Sequence, residues 1–201
     1  MRSPHRIVRC VIILAVALAC VSPLRAGESW QLDSAHTNVT FTVAHMGVSR
    51  VSGSFRDTSG SGSFDGKTVG SAQVEAIIQT ASVDTRNEKR DGHLKGADFL
   101  DVQKFPTITF KSKRFRQTSG RKFQLTGDLT LHGVTKTVVL GGEFSEVIKD
   151  PFGKTRVGAT ASTTINRKDF GLGWNKIMES GGLLVGEDVL ITIEVEFVKG
   201  S

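Results

Sequence analysis

The sequence predicts an all-β protein, a single extended antiparallel β-barrel of about eight strands with one short helix. Three observations carry this prediction. Apolar and polar residues alternate along most of the chain after residue 30, only one stretch has helical character, and short turn-rich links join the early alternating segments. Alternation with a period of two buries one face of a strand and exposes the other, and tight turns suit antiparallel neighbours.

The first 26 residues stand apart from the alternating region. They hold four arginines and no acid, then the apolar run Cys10–Val21, then Ser22-Pro23 and Leu24-Arg25-Ala26. A dozen apolar residues are too few to span a bilayer, and a basic start, an apolar stretch and a break are typical of a secretory signal. We therefore predict a cleaved signal peptide over residues 1–26 and one mature domain over residues 27–201.

Both cysteines, Cys10 and Cys20, lie in this leader. The mature domain is therefore expected to fold without disulfides, through its hydrophobic core alone. Leu18-Ala19-Cys20 is similar to a lipidation signal, although Ala17 stands where an aliphatic residue is usual. Lipidation at Cys20 is the alternative to simple cleavage of the leader.

The charge of the chain also changes once the leader is set aside. The whole chain has 26 Lys and Arg against 20 Asp and Glu, and four of the bases fall in the leader, so the mature domain keeps a net charge of only +2. Its Lys and Arg residues never cluster in runs longer than two, whereas a nucleic-acid surface needs concentrated positive charge. Nucleic acid is therefore excluded as a partner, and no transmembrane segment is expected in the mature domain.

The strands follow from the alternating segments in chain order. The clearest apolar faces belong to residues 39–43, 51–55, 108–110, 123–131 and 189–197, and the segments 71–83, 134–148 and 155–166 are also strand-like. Gly141 and Gly142 predict a bulge or bend. Only Asn87–Leu100, which lacks β-branched residues, is predicted to be helical, and Gly92 and Gly96 make that helix short.

Eight long strands leave exposed edges unless the sheet closes on itself or pairs face to face. A closed barrel of that size has an interior that side chains just fill or that holds one small ligand. Glycines on the inward faces leave room for a ligand, or they relieve the curvature of the wall. The strand glycines are Gly53, Gly127, Gly141, Gly142 and Gly158.

Several longer motifs then coincide in order and spacing. They are WQLDSAH (30–36), VSGSF (51–55), RDGHLKGADFLD (90–101), FPTITF (105–110), GDLTLHGVTK (127–136) and NRKDFG (166–171). Together they resemble the YceI-like family of secreted lipid-binding proteins, over essentially all of the mature chain. Thr137 stands where the family often has proline, but Val138 and Leu140 continue the strand.

The resemblance implies a lipocalin-like barrel whose pore holds a long isoprenoid or fatty-acyl chain, in a periplasmic protein that in some members dimerises. The pore is then expected to be lined by the inward residues Val39, Phe41, Val43, Phe55, Ile108, Phe110, Leu125, Leu129, Ile191, Ile193 and Val195. Twelve Phe and no Tyr suit a dry pore, because phenyl rings carry no hydroxyl group to satisfy. On the residues alone, a solid core filled by these rings is the favoured alternative.

The polar head group of such a lipid needs partners where the pore opens. His45 continues the inward parity of its strand, and Arg90 and His93 lie on the helix that would cap one end of the barrel. We therefore predict that His45, Arg90 and His93 line the mouth, with Arg90 as the donor to a phosphate group. In the alternative, Arg90, Asp91 and His93 hold the helix on the barrel.

An enzymatic role has little support in the sequence. The mature histidines are His36, His45, His93 and His132, without the spacing of a zinc site, so we predict no metal, no cofactor and no catalytic residue. The alternative functions are a redox partner or small enzyme with a His-bound metal or haem, and a structural or stress-response module with a filled core. A homodimer is a further possibility that periodicity does not locate.

Overall fold

The structure is a computed structural model, and it describes residues 27–64, 69–179 and 181–200. The predicted signal peptide and Cys20 lie outside the described residues. The described part is built from twelve strands and one α-helix, joined in places by short 3-10 turns. The strands are β1 (Glu28–Leu32), β2 (Asn38–His45), β3 (Ser49–Phe55), β4 (Thr58–Phe64), β5 (Gln73–Gln79), β6 (Val83–Asp84), β7 (Thr107–Ser119), β8 (Lys122–Leu131), β9 (Val134–Phe144), β10 (Ile148–Lys149), β11 (Thr155–Asn166) and β12 (Val185–Lys199), and the helix is α1 (Glu88–Lys95).

The strands close into an antiparallel barrel. Hydrogen-bonded neighbours run from β12 through β1, β4, β5, β7, β8, β9 and β11 and then back to β12, which makes a ring of eight. The long β11–β12 ladder, from Arg156↔Val198 to Asn166↔Asp188, completes the ring. This confirms the predicted lipocalin-like barrel of about eight strands with one helix.

Twelve strands fill eight positions because the first three long segments are each broken in two, and β10 continues the position of β9 along β11. Both β1 and β2 pair with β12, at successive levels of that strand. In the same way β4 pairs with β1 while β3 pairs with β2, and β5 pairs with β4 while β6 pairs with β3. The breaks fall at the 3-10 turns Ser34–His36 and Thr80–Ser82 and at the link of residues 56–57.

The helix is shorter than the predicted stretch Asn87–Leu100. Asn87 caps α1 by accepting a hydrogen bond from the Arg90 backbone N–H at 3.0 Å, and the helix ends before Gly96. No helix in the described ranges is long and apolar enough to cross a membrane.

The strand glycines make room for phenyl rings of neighbouring strands. A Cβ at Gly53 would overlap the Phe41 ring, and a Cβ at Gly127 would overlap the Phe110 ring. The predicted bulge at Gly141 and Gly142 is wrong, since both residues pair with β8 without a register shift. The physical reason for Gly142 is close approach, because a Cβ there would overlap the Thr160 backbone.

Candidate functional site

The barrel encloses an elongated cavity of about 1120 Å³. This volume exceeds the usual range of small-molecule pockets. The cavity follows the inward face of β12 from Val189 to Phe197, eight residue steps or about 26 Å of strand. The cavity therefore extends along the barrel wall rather than occupying one compact site.

The wall of the cavity is apolar and rich in phenylalanine. Nine of the twelve Phe residues line it, and inside the tube these rings bring no hydrogen-bonding group. All eleven residues named from the sequence as pore residues are among the lining residues: Val39, Phe41, Val43, Phe55, Ile108, Phe110, Leu125, Leu129, Ile191, Ile193 and Val195. Alternation therefore identified which side chains of these strands face the lumen.

The inward face of β11 carries smaller side chains than its neighbour β12. Ala159, Ala161 and Thr163 line the cavity from β11, opposite Val195, Ile193 and Ile191 of β12 in the strand register. Phenyl rings already occupy the space beside Gly53 and Gly127. Along this side of the wall, the short side chains of β11 therefore leave room in the lumen.

The end of the barrel near α1 is closed by a hydrophobic cluster. Phe170 is 2% exposed, and it packs in one cluster with Leu100, Leu131, Ile165 and Leu172. We call this the closed end. The residues that line the cavity here are buried or half-buried, in contrast to those at the opposite end.

Arg167 holds the closed end together although it is only 3% exposed. Its Nε donates to the Gly186 carbonyl oxygen at 2.8 Å, and its Nη1 donates to that of Leu172. Burial lowers the pKa of the Arg167 guanidinium below its ordinary value, while the Glu187 carboxylate opposes the shift. Arg167 therefore fastens the β11–β12 connection across the base of the lumen.

The opposite end of the barrel is open. The cavity reaches the β7–β8 turn at Ser119–Lys122 and the segment Glu143–Val147, and almost all of these residues are exposed. Arg121 pairs with Glu143 at 3.6 Å and with Glu146 at 3.4 Å. We call these residues the open rim. Arg121 and Lys122 were not identified from the sequence, where they stand out only as two adjacent basic residues after Gly120.

An aromatic cluster lies directly inside the open rim. Phe115 and Phe123 stack with ring centroids 4.9 Å apart, and Phe144 lies 6.3 Å from both. These rings come from three adjacent strands and line the cavity. A molecule entering from the rim therefore meets phenyl faces first.

The predicted mouth residues lie at the closed end, and none of them is among the lining residues. His45 ends β2 and pairs with Ser49. Arg90 donates to the Thr85 hydroxyl at 2.7 Å and to the Thr85 carbonyl oxygen at 2.9 Å. His93 bonds Asp98 at 2.9 Å and packs edge-on against Trp174. The Arg90 contacts hold α1 on the barrel, as the alternative states, and head-group binding by His45, Arg90 and His93 stays a prediction.

The described lining residues include no His, Cys or Met, so the tube offers none of these side chains to a haem iron. Elsewhere, on the barrel exterior, Asp33, His36 and Glu196 come close enough to share a cation. The Arg156 guanidinium already binds both carboxylates there, at 2.8 Å to Asp33. Together with the His36 imidazole, Arg156 lowers the pKa of Asp33 to about 2. This cluster is an ion-pair network on the outer wall.

A family model, relatives in sequence and solved structures all show similarity to YceI-like proteins. A family model of the YceI-like domain matches residues 30–197. A UPF0312 protein of Azotobacter vinelandii is 42% identical over 155 residues, which cover 74% of this chain and 81% of the relative. The crystal structure of a Campylobacter jejuni YceI protein is similar, with a TM-score of 0.67 at 33% identity over 79% of this chain and 90% of that one.

A second solved structure shares the fold at lower identity. It is a polyisoprenoid binding domain from Saccharophagus degradans implicated in plant cell wall breakdown. The TM-score is 0.66 at 16% identity, and the match covers 86% of this chain and 99% of that one. At this identity the likeness is one of fold.

Proposed function

Because this chain belongs to the YceI-like family, we propose that it binds a lipid by holding its long isoprenoid or fatty-acyl chain inside the barrel. We further propose that it does so in the periplasm, after loss of residues 1–26, and that it transports, stores or sequesters the lipid there. The leader of the sequence supports this compartment.

The observation that carries the proposal is the long apolar cavity. A barrel with a filled core would leave no space of about 1120 Å³, because protein interiors pack as densely as organic crystals. Water is a poor occupant, since an apolar wall offers it almost no hydrogen bonds. An apolar chain gives up no hydrogen bond on entering, and it gains about 0.8 kcal/mol for each methylene group removed from water.

The shape of the cavity favours a chain over a compact ligand. A lumen lined along about 26 Å of β12 matches a flexible hydrocarbon, which can contact the wall along its whole length. The binding of polyisoprenoid by the Saccharophagus degradans domain supports an isoprenoid as the cargo. A fatty-acyl chain also suits this wall, because the wall makes only apolar contacts with its ligand.

The test is to produce the full chain with its leader, purify the mature protein and extract it with organic solvent for mass spectrometry. We expect a long-chain lipid at near-stoichiometric amount. Ala161→Trp places an indole in the lumen and should lower the extracted lipid at least tenfold. Ser162→Trp is the matched control, since Ser162 is the next residue and faces outward.

Two outcomes would contradict the proposal. The first is a wild-type protein without any extractable lipid that also fails to take up an added polyprenol or fatty acid. The second is equal lipid content in both tryptophan variants, which would place the lipid outside the lumen. The mass of the mature chain from the same preparation tests cleavage after residue 26 and lipidation at Cys20.

A further inference from the structure

A hairpin beside the open rim presents apolar side chains to solvent. This rim hairpin, residues 145–154, contains β10, which pairs with the start of β11. Val147 is 58% exposed, Ile148 is 57% exposed and Phe152 is 88% exposed. Val147 also lines the cavity, so an apolar surface continues from the lumen over the rim to the hairpin.

The turn that presents Phe152 is well structured. The Asp150 carboxylate accepts hydrogen bonds from the backbone N–H groups of Phe152 and Lys154, both at 2.9 Å. Arg156 then donates to the same carboxylate at 2.6 Å and joins it to the outer wall through Asp33. The exposed phenyl ring therefore sits on a turn fixed by these four contacts rather than on a loose loop.

The charges around the ring are arranged for an anionic partner. Lys149 and Lys154 flank Phe152, and neither ammonium group makes an ion pair among the described residues. Of the nearby acids, Asp150 is bound to Arg156, and Glu143 and Glu146 share the Arg121 guanidinium. Free ammonium groups beside exposed aromatic and aliphatic side chains are the combination that binds the interface of an anionic bilayer.

We propose that the rim hairpin docks the open end of the barrel on an anionic lipid bilayer, with Phe152 and Ile148 entering the interface. This inference rests on the proposed function, because docking gives the cargo a route between bilayer and lumen. A lipid that left the rim through water would expose its chain at about 0.8 kcal/mol for each methylene group. The continuous apolar surface through Val147 avoids that exposure.

A bilayer is preferred to a protein partner for two reasons. The apolar surface is continuous with the lumen, and the unpaired lysines suit a diffuse layer of phosphate groups. The closed end also exposes apolar residues, with Val48 84% exposed, but it has no opening to the cavity. Val48 is therefore a matched control.

The test is co-sedimentation of the mature protein with vesicles of phosphatidylethanolamine and phosphatidylglycerol, compared with vesicles of phosphatidylcholine alone. We expect stronger binding to the anionic vesicles. Phe152→Ser should lower the bound fraction about tenfold, as expected for loss of one inserted aromatic ring. Val48→Ser should leave binding unchanged.

Four results decide on this inference separately from the proposed function. If the wild-type protein carries lipid but does not bind vesicles, or if Phe152→Ser binds as well as wild type, docking by the rim hairpin is overturned and the proposed function stands. Loss of binding in Val48→Ser would also overturn it, by moving the contact to the closed end. If Phe152-dependent binding is seen in a protein that takes up no lipid, docking stands and the proposed function falls.

Discussion

The closed end and the open end of the barrel are built from the same strands, yet they hold opposite kinds of residue. At the closed end, Phe170 and Arg167 are almost fully buried, and the charged guanidinium binds backbone carbonyl oxygens. At the open rim, Arg121 and its partners Glu143 and Glu146 are exposed to solvent. The contrast teaches that stability is concentrated at one end and access to the lumen at the other.

The largest stability effect is expected at the closed end. Arg167→Met keeps much of the side-chain volume but leaves the Leu172 and Gly186 carbonyl oxygens without their donor, so unfolding should require about 3 kcal/mol less free energy. Denaturant unfolding measures this change. The matched control is Lys168→Met, whose exposed ion pair with Glu187 contributes below about 1 kcal/mol. Equal effects of the two variants would mean that the buried Arg167 guanidinium stabilises the closed end no more than an exposed ion pair beside it does.

A smaller effect is expected in the wall between the two ends. A Cβ at Gly127 would overlap both the Phe110 ring and the Lys111 backbone, so Gly127→Ala should destabilise the fold by about 2 kcal/mol. Gly92→Ala on α1 is the control, because nothing lies within 4 Å of its Cβ position, and it should stabilise by about 0.5 kcal/mol. Thermal unfolding of both variants separates them by sign. A neutral Gly127→Ala would mean that the ring has space to move.

The smallest effect is expected near the open rim, and it depends on pH. Arg156 lowers the pKa of Asp150 in the folded protein. Together with His36, Arg156 also lowers the pKa of Asp33, to about 2. An unfolded aspartate titrates near about 4, so this stabilisation is present above that pH and is lost as the pH falls toward about 2. The melting-temperature difference between wild type and Arg156→Gln should therefore be greatest at neutral pH and shrink on acidification.

Arg114→Gln is the control for the pH experiment, since Arg114 makes no ion pair among the described residues. Its small effect should not change with pH. A difference for Arg156→Gln that stays constant from neutral to acidic pH would contradict the linkage between Arg156 and the two carboxylates.

The fold and the inward faces of the strands were largely predictable from the sequence. Alternation of apolar and polar residues with a period of two identifies the side chains that share a face. Phe41 and Ile193 were placed in the wall correctly on that ground. The division of the first long segment was not predicted, since a short 3-10 turn at Ser34–His36 interrupts it while both halves, β1 and β2, stay paired with β12.

The position of the opening was beyond the sequence for a different reason. Alternation gives a face but not a depth, so it does not say which end of each strand meets solvent. Arg90 and His93 suggested the helix end because those residue types suit a head group, and the structure places them at the closed end, outside the lining of the cavity. The polar segment NRKDF (166–170) gives no sign in the sequence that Arg167 is buried. The burial arises only when the barrel closes around it.

Native mass spectrometry of the purified mature protein is the decisive measurement for lipid binding in the lumen. We expect a non-covalent complex heavier than the chain by the mass of one lipid, and the added mass should persist in Ser162→Trp and disappear in Ala161→Trp. A wild-type protein with the mass of the chain alone, which also gains no mass on incubation with a polyprenol or a fatty acid, would contradict it.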